Sequence, residues 1–121
     1  MTIMKQKEWG RSASIDLHGV DHDLIRDPKM IRSFVVKLCK LIKMHRVGSP
    51  LIKRFGHKKL RGYSMMQFIE TSCITAHFDE VGNRAFIDVF SCKNFEPKVA
   101  VKFCKEFFKA KEYKEHEEKR R

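Results

Sequence analysis

From Ser12 to His18 the chain alternates: Ala13, Ile15 and Leu17 on one side, Ser12, Ser14, Asp16 and His18 on the other. A period of two predicts a strand with one buried face, and Gly19 ends it. At Asp27-Pro28 the period changes. An acidic N-cap followed by proline at the first helical position opens a helix. Ile31, Phe34, Val35, Leu38, Cys39 and Ile42 recur at helical spacing, which predicts a helix to about His45. Gly48-Ser49-Pro50 breaks that pattern, and Leu51-Ile52 begins a second strand. Residues 55–62 read as a basic loop, and Tyr63 to Ile69 as a third strand. Cys73–Phe78 and Arg84–Cys92 form a hairpin around Glu80-Val81-Gly82-Asn83. Pro97 opens a second helix, with Val99, Phe103, Cys104, Phe107 and Phe108 on one face. The Lys- and Glu-rich stretch from about residue 110 continues the helix, adds an edge strand or frays; a solvated tail is its simplest reading.

The resulting order, β-α-β-β-β-β-α, predicts an α+β fold. It is a two-layer sandwich in which a mostly antiparallel sheet carries two helices on one face. The 121 residues make a single domain, 1–121. A domain of this size buries a modest share of its surface, and the second sheet face needs cover, so a homodimer is expected.

Charge and composition narrow the function classes. The net charge is +11, concentrated in residues 1–71, with 15 Lys/Arg against 6 Asp/Glu. Such a chain attracts anions, but no nucleic-acid-binding motif accompanies the charge, so nucleic acid is not an expected partner. No run of 18 apolar residues exists, so no membrane partner is expected. Met1 to Gly10 is polar, without a signal-type apolar stretch, and the expected location is cytoplasmic. Of four cysteines, Cys39 and Cys104 fall in helical apolar patterns and read as core. Cys73 and Cys92 fall in strands. No C-x-x-C pair is present. His18 and His22 lie beside no cysteine or third histidine, so no metal is expected.

The hairpin brings chemistry together. A loop centred on Val81-Gly82 sets paired residue numbers that sum to 163. His77 then faces Phe86, Cys73 faces Phe90, and Thr71 lies opposite Cys92. His77 and Cys92 project from one side of the sheet. Spacing alone is met best by a plain reading: His77 hydrogen-bonded within the sheet, Cys92 a small packing residue. Asp16 and Asp88 are strand carboxylates, structural or pocket-lining, and Phe86 and Phe90 read as core.

The residues themselves tip the reading. GYSMMQFIETSCITAHF followed by RAFIDVFSC resembles the centre of the prokaryotic S-adenosylmethionine decarboxylases. There the pattern is approximately G-V-S, an apolar run, E-S-H-x-T-x-H, and A-x-V-D-V-F-T-C. The serine-to-serine, serine-to-histidine and histidine-to-cysteine spacings match without a gap. SIDLHGVDHDLIRD is similar to the family's opening strand and helix entry. The resemblance spans roughly residues 9 to 110.

It implies a self-cleaving proenzyme. The Ser72 hydroxyl attacks the Thr71 carbonyl, the chain parts between 71 and 72, and the fragment beginning at 72 carries a pyruvoyl cofactor made from Ser72. That group forms a Schiff base with the substrate amine and acts as the electron sink for decarboxylation. Cys92 is implied as the acid that reprotonates the substrate carbon, and Ser64 and His77 as residues that assist processing. The implied activity is conversion of S-adenosylmethionine to its decarboxylated form for spermidine and polyamine synthesis.

The chain also departs from the family. Thr71 stands where glutamate usually precedes the cleaved serine, and Cys73 where histidine usually follows it. Phe78-Asp79-Glu80-Val81 replaces T-W-P-E. Lys58-Lys59-Leu60-Arg61-Gly62 replaces a phenylalanine-bearing loop, leaving Phe55 as the nearest aromatic. The loop bears on substrate, and keeps open a pyruvoyl-dependent arginine or ornithine decarboxylase. An uncleaved regulatory relative and a basic nucleic-acid-binding module are the remaining alternatives.

Overall fold

The computed structural model describes residues 8–121; the polar segment read from Met1 onward lies almost wholly outside them. Six strands form one sheet: β1 (Gly10–His18), β2 (Arg46–Phe55), β3 (Gly62–Ile69), β4 (Ser72–Asp79), β5 (Arg84–Ser91) and β6 (Glu112–Arg120). Their order is β2-β3-β4-β5-β1-β6, antiparallel throughout. The helices are α1 (His22–Ile25), α2 (Pro28–Leu41) and α3 (Pro97–Phe107). The α+β two-layer architecture is as expected, with the short α1 added.

The helix starts follow from their caps. Asp21 accepts hydrogen bonds from the Asp23 and Leu24 amides, Asp27 from Lys29, and Glu96 from Lys98. Pro28 and Pro97 occupy first-turn positions that need no donor. The apolar faces of α2 and α3 lie over one side of the sheet. Ile31, Phe34, Leu38 and Cys104 there meet Ile15, Leu17, Ile74, Ala76, Ile87 and Val89, all essentially inaccessible. Phe108 ties the layers together: its ring centroid is 4.6 Å from Phe34 and 5.3 Å from Phe78. Cys39 and Cys104 are core, as their spacing predicts, and burial pushes the Cys39 thiol up to about 11.

Four expectations need correction. Helix α2 stops at Leu41, short of His45, because Lys43 turns left-handed (φ 59°) and the Met44 amide bonds back to Cys39. Gly48-Ser49-Pro50 does not precede β2 but forms an irregularity inside it, between Val47 and Leu51. An edge strand tolerates this, since its outer amides have no ladder partner. The basic loop contains a 3-10 turn at Lys58–Leu60. Of the readings of the tail, the edge strand is the one that forms, in place of solvated coil or helix: β6 pairs with β1 from Gly10↔Arg120 to His18↔Glu112. Its side chains are nearly all charged, which hides a strand signal normally carried by apolar alternation.

An ion pair crosses the sheet edge. Arg54 of β2 donates two hydrogen bonds, at 3.1 and 2.5 Å, to Glu80 in the β4–β5 turn, which is 8% exposed. Hydrogen bonding from Arg54 holds the Glu80 carboxyl below its ordinary range.

Two outcomes follow. A chain ending at Ala110 loses β6 and bares the outer edge of β1; it should melt at lower temperature and self-associate. Unchanged melting and a single monodisperse sedimentation boundary, the same as for the full chain, would remove β6 from the folded unit. Glu80→Gln should lower stability by about 1 kcal/mol at neutral pH, discounted for the partly exposed Arg54. Because the folded carboxyl titrates below the unfolded one, this stabilisation is complete above the unfolded range and is lost as pH falls through the folded value. Urea titrations of both chains should therefore converge in acid.

Candidate active site

The strand alternation that buries one set of side chains turns the other set to a helix-free face. Adjacent strands set Ser64, His77, Phe86 and Asp16 side by side across β3, β4, β5 and β1. The next row holds Met66, Thr75, Asp88 and Ser14, and the next Phe68, Cys73, Phe90 and Ser12. The pairing of β4 with β5 sums to 163 at every position, so the register read from the turn holds.

Two clusters of predicted residues emerge. At the sheet end, the Thr71 hydroxyl contacts the Cys92 thiol, and the Cys92 amide points to the Thr71 carbonyl at 3.5 Å. The side-chain bond with Thr71, then the backbone bond with Thr71, hold the half-exposed Cys92 thiol below the ordinary range. Ser72 begins β4 beside this pair, opposite Ser91 and Ile69. The peptide between Glu70 and Thr71 is cis. The chain reaches this corner firmly held: the Glu70 amide donates to His45 at 3.0 Å. Gly10 is required here by contact rather than by torsion. A Cβ on it would lie 2.6 Å from the Ser91 carbonyl oxygen and 3.0 Å from the Cys92 Cα.

The second cluster is Ser64 and His77, joined by a hydrogen bond of 3.0 Å between Oγ and Nδ1. They border a cleft of about 300 Å³ whose walls include Phe55, Lys59, Tyr63 and Phe86. Gly62 admits the loop there because a side chain would strike the Phe78 carbonyl. His77 and Cys92 share a face, as expected, but are not neighbours. Ser72 and His77 are five residues apart along β4, which is about 16 Å. Within one chain the structure does not bring Ser64 and His77 to Ser72.

The remaining candidates find plain roles. Asp88 accepts from Ser14 at 2.7 Å, and His22 Nδ1 lies 2.7 Å from the side-chain oxygen Oδ1 of Asn83. Phe86 and Phe90 are not in the helix-covered core. They lie half-buried on the open face, under the guanidinium groups of Arg84 and Arg120 at 5.6 and 5.1 Å. Trp9 packs 5.9 Å from Phe90. A larger groove, about 590 Å³, runs between α3 and β6 beside Lys98, Lys102 and Lys105, and holds none of these residues. Sequence reasoning missed the Arg54–Glu80 pair, since nothing local links residues 26 positions apart. It missed Gly10 for the same reason, although a glycine opening a strand is a signal for close backbone approach. No helix among the described residues is long and apolar enough to cross a membrane.

Comparison with known proteins agrees with this layout. The crystal structure of the adenosylmethionine decarboxylase from Aquifex aeolicus superposes with a TM-score of 0.82, covering 95% of this chain and 92% of that one at 22% identity, a likeness of fold. An arginine decarboxylase proenzyme from Caldivirga maquilingensis is 30% identical over 83 residues, 69% of this chain; the match spans 61% of that relative's length. The family model for S-adenosylmethionine decarboxylase matches residues 11–121. With nearly the whole chain matched, this protein belongs to the S-adenosylmethionine decarboxylase family.

Proposed function

We propose that the chain is a cytoplasmic, self-processing pyruvoyl-dependent decarboxylase, with S-adenosylmethionine as substrate and decarboxylated S-adenosylmethionine plus carbon dioxide as products, feeding polyamine synthesis. The observation that carries this reading is the corner where a serine with a β-hydroxyl follows Thr71 and a thiol lies against Thr71. Such a corner suits formation of a pyruvoyl group. The Ser72 hydroxyl attacks the Thr71 carbonyl, and the peptide becomes an ester. Elimination releases Thr71 as a carboxylate, and addition of water with loss of ammonia leaves the ketone at 72. Once formed, that ketone supplies an electron sink for loss of carbon dioxide from an amine-bearing substrate. Cys92 is suited to deliver a proton to the substrate carbon, being half-exposed and next to the cleaved bond.

Ser64 and His77 act in processing, with His77 moving a proton and Ser64 supplying a hydrogen bond. Their distance from Ser72 supports action across a homodimer. The helix-free face favours that assembly: Leu51, Met66 and Phe68 are exposed on it, with Phe86 and Phe90 half-buried alongside. Two such faces packed together about a twofold axis bury this surface and set the Ser64–His77 pair of each chain against its partner.

Arginine is the second reading. It is supported by the Caldivirga maquilingensis relative, named as an arginine decarboxylase proenzyme, and by the lysines at 58 and 59 where the family's loop usually carries phenylalanine.

Intact-mass spectrometry should find one fragment ending at Thr71 and a second lacking an ordinary amino terminus, while Ser72→Ala stays whole and folded. Wild-type protein that stays whole would refute the enzyme and favour an uncleaved regulatory role. Carbon dioxide release should be seen with S-adenosylmethionine and fall by about 100-fold or more in Cys92→Ala, the scale of a lost general acid. Release from arginine or ornithine alone would move the substrate assignment, and unaltered turnover in Cys92→Ala would remove that residue's role.

A further inference from the structure

Self-cleavage changes the charge at the corner where it occurs. Before cleavage, Thr71 presents Cys92 with a neutral hydroxyl and a neutral carbonyl. Afterwards the same carbonyl carbon is a carboxylate, the new C-terminus of the first fragment. No balancing ammonium appears, because the nitrogen of residue 72 leaves as ammonia. The corner therefore gains one negative charge outright.

Resting on the processing reading above, we propose that this new Thr71 carboxylate is a positioning group for Cys92: it stays beside the thiol and holds it protonated, ready to donate. Three observations carry this. The Thr71 carbonyl oxygen is already 3.5 Å from the Cys92 amide, and the side chains are in contact. The fragment end is tethered independently of the cleaved bond, by the Glu70 amide on His45 and by Ile69 paired with Arg46 in β2. The surroundings offer little competing charge. The chargeable side chains on the flanking elements are His45 just before β2 and Arg46 at its start, Glu70 after β3, Cys73 in β4, Lys93 beside Cys92, Arg11 in β1 and Arg120 in β6. Arg120 lies two strands away with its guanidinium over Phe90. None of these side chains contributes to the thiol's present state, which the bonds from Thr71 set first.

The chemistry then runs in sequence. In the uncleaved chain, hydrogen bonds to sulfur favour the thiolate. In the cleaved chain, a like charge within a few ångströms of the sulfur disfavours it. The thiol thus becomes a proton donor through the same self-processing that yields the ketone, the carboxylate being released one step earlier, and no separate event is needed.

The test reads the thiol rather than turnover. Iodoacetamide alkylation of Cys92, resolved from the other cysteines by peptide mass spectrometry, is followed against pH in processed wild type and in uncleaved Ser72→Ala. Freshly refolded wild type, sampled before cleavage, gives the same comparison without a substitution. The Cys92 titration should lie about one unit or more higher after processing, or about tenfold slower alkylation at a pH where both forms are mostly thiol. Borohydride reduction of the ketone should leave that rise in place. In the Ser72→Ala background, Thr71→Val should also raise the titration, by removing the hydroxyl, and Thr71→Ser should restore it. In processed protein the identity of residue 71 should matter little, because the carboxylate belongs to the backbone. An equal or lower titration after cleavage overturns the proposal, as does a rise abolished by reducing the ketone. Wild type that never cleaves removes this inference and the processing reading together; cleavage with an unshifted thiol removes this inference alone.

Discussion

The antiparallel pairing of β4 with β5 is the constraint on which the rest depends. It runs in one register from Ser72↔Ser91 to Asp79↔Arg84. Of the candidate site residues, Ser72, His77 and Cys92 are placed by that ladder or by its extension one step outward, and Ser64 is paired to His77 from β3. A slip of one residue would turn Cys92 toward the helices and His77 into the core. The turn is anchored against such a slip. Asp79 accepts from the Gly82 amide and from Arg84, at 3.0 and 2.7 Å, and Glu80 is held by Arg54. The chemistry of the 71–72 corner is thus secured at the far end of the hairpin.

The sheet's two faces have different jobs. One is committed to folding, with Phe34, Phe78 and Phe108 locking both main helices to β4. The other is free of helices and carries all the candidate site residues apart from Ser72, which starts the strand. Separating the faces lets polar, reactive groups stay in reach of substrate without cost to the core. The exposed Leu51, Met66 and Phe68 are then not a defect of packing but the surface that an assembly of two chains would bury.

Much of this was legible in the sequence, for physical reasons that differ by element. Asp27-Pro28 and Pro97 announce helices because capping is local. The hairpin register was legible because a short turn fixes it arithmetically. Strand β6 was legible only as one option among three, because Glu112–Arg120 is almost wholly charged and its pairing with β1 is made nearly a hundred residues away. The bulge in β2 looked like a terminus because Gly48-Ser49-Pro50 carries the same residues as a turn. At the site, alternation placed His77 and Cys92 on one face correctly. Once both residues are assigned to one strand, its rise per residue separates Ser72 from His77 by about 16 Å, and the structure confirms that they share β4.

Strand β6 also limits how copies of this molecule can gather. Its outward backbone is flanked by Glu112, Lys114, Glu115, Glu117, Glu118 and Lys119, so a neighbouring strand approaching edge-on meets ions that it would have to strip of water. At the opposite border, Pro50 withholds a donor and the irregular stretch before Leu51 interrupts the row. Neither border offers a clean template, so ribbon-like polymer growth is blocked at both ends. An assembly of two chains through the exposed apolar face would bury that face and stop after a single pairing.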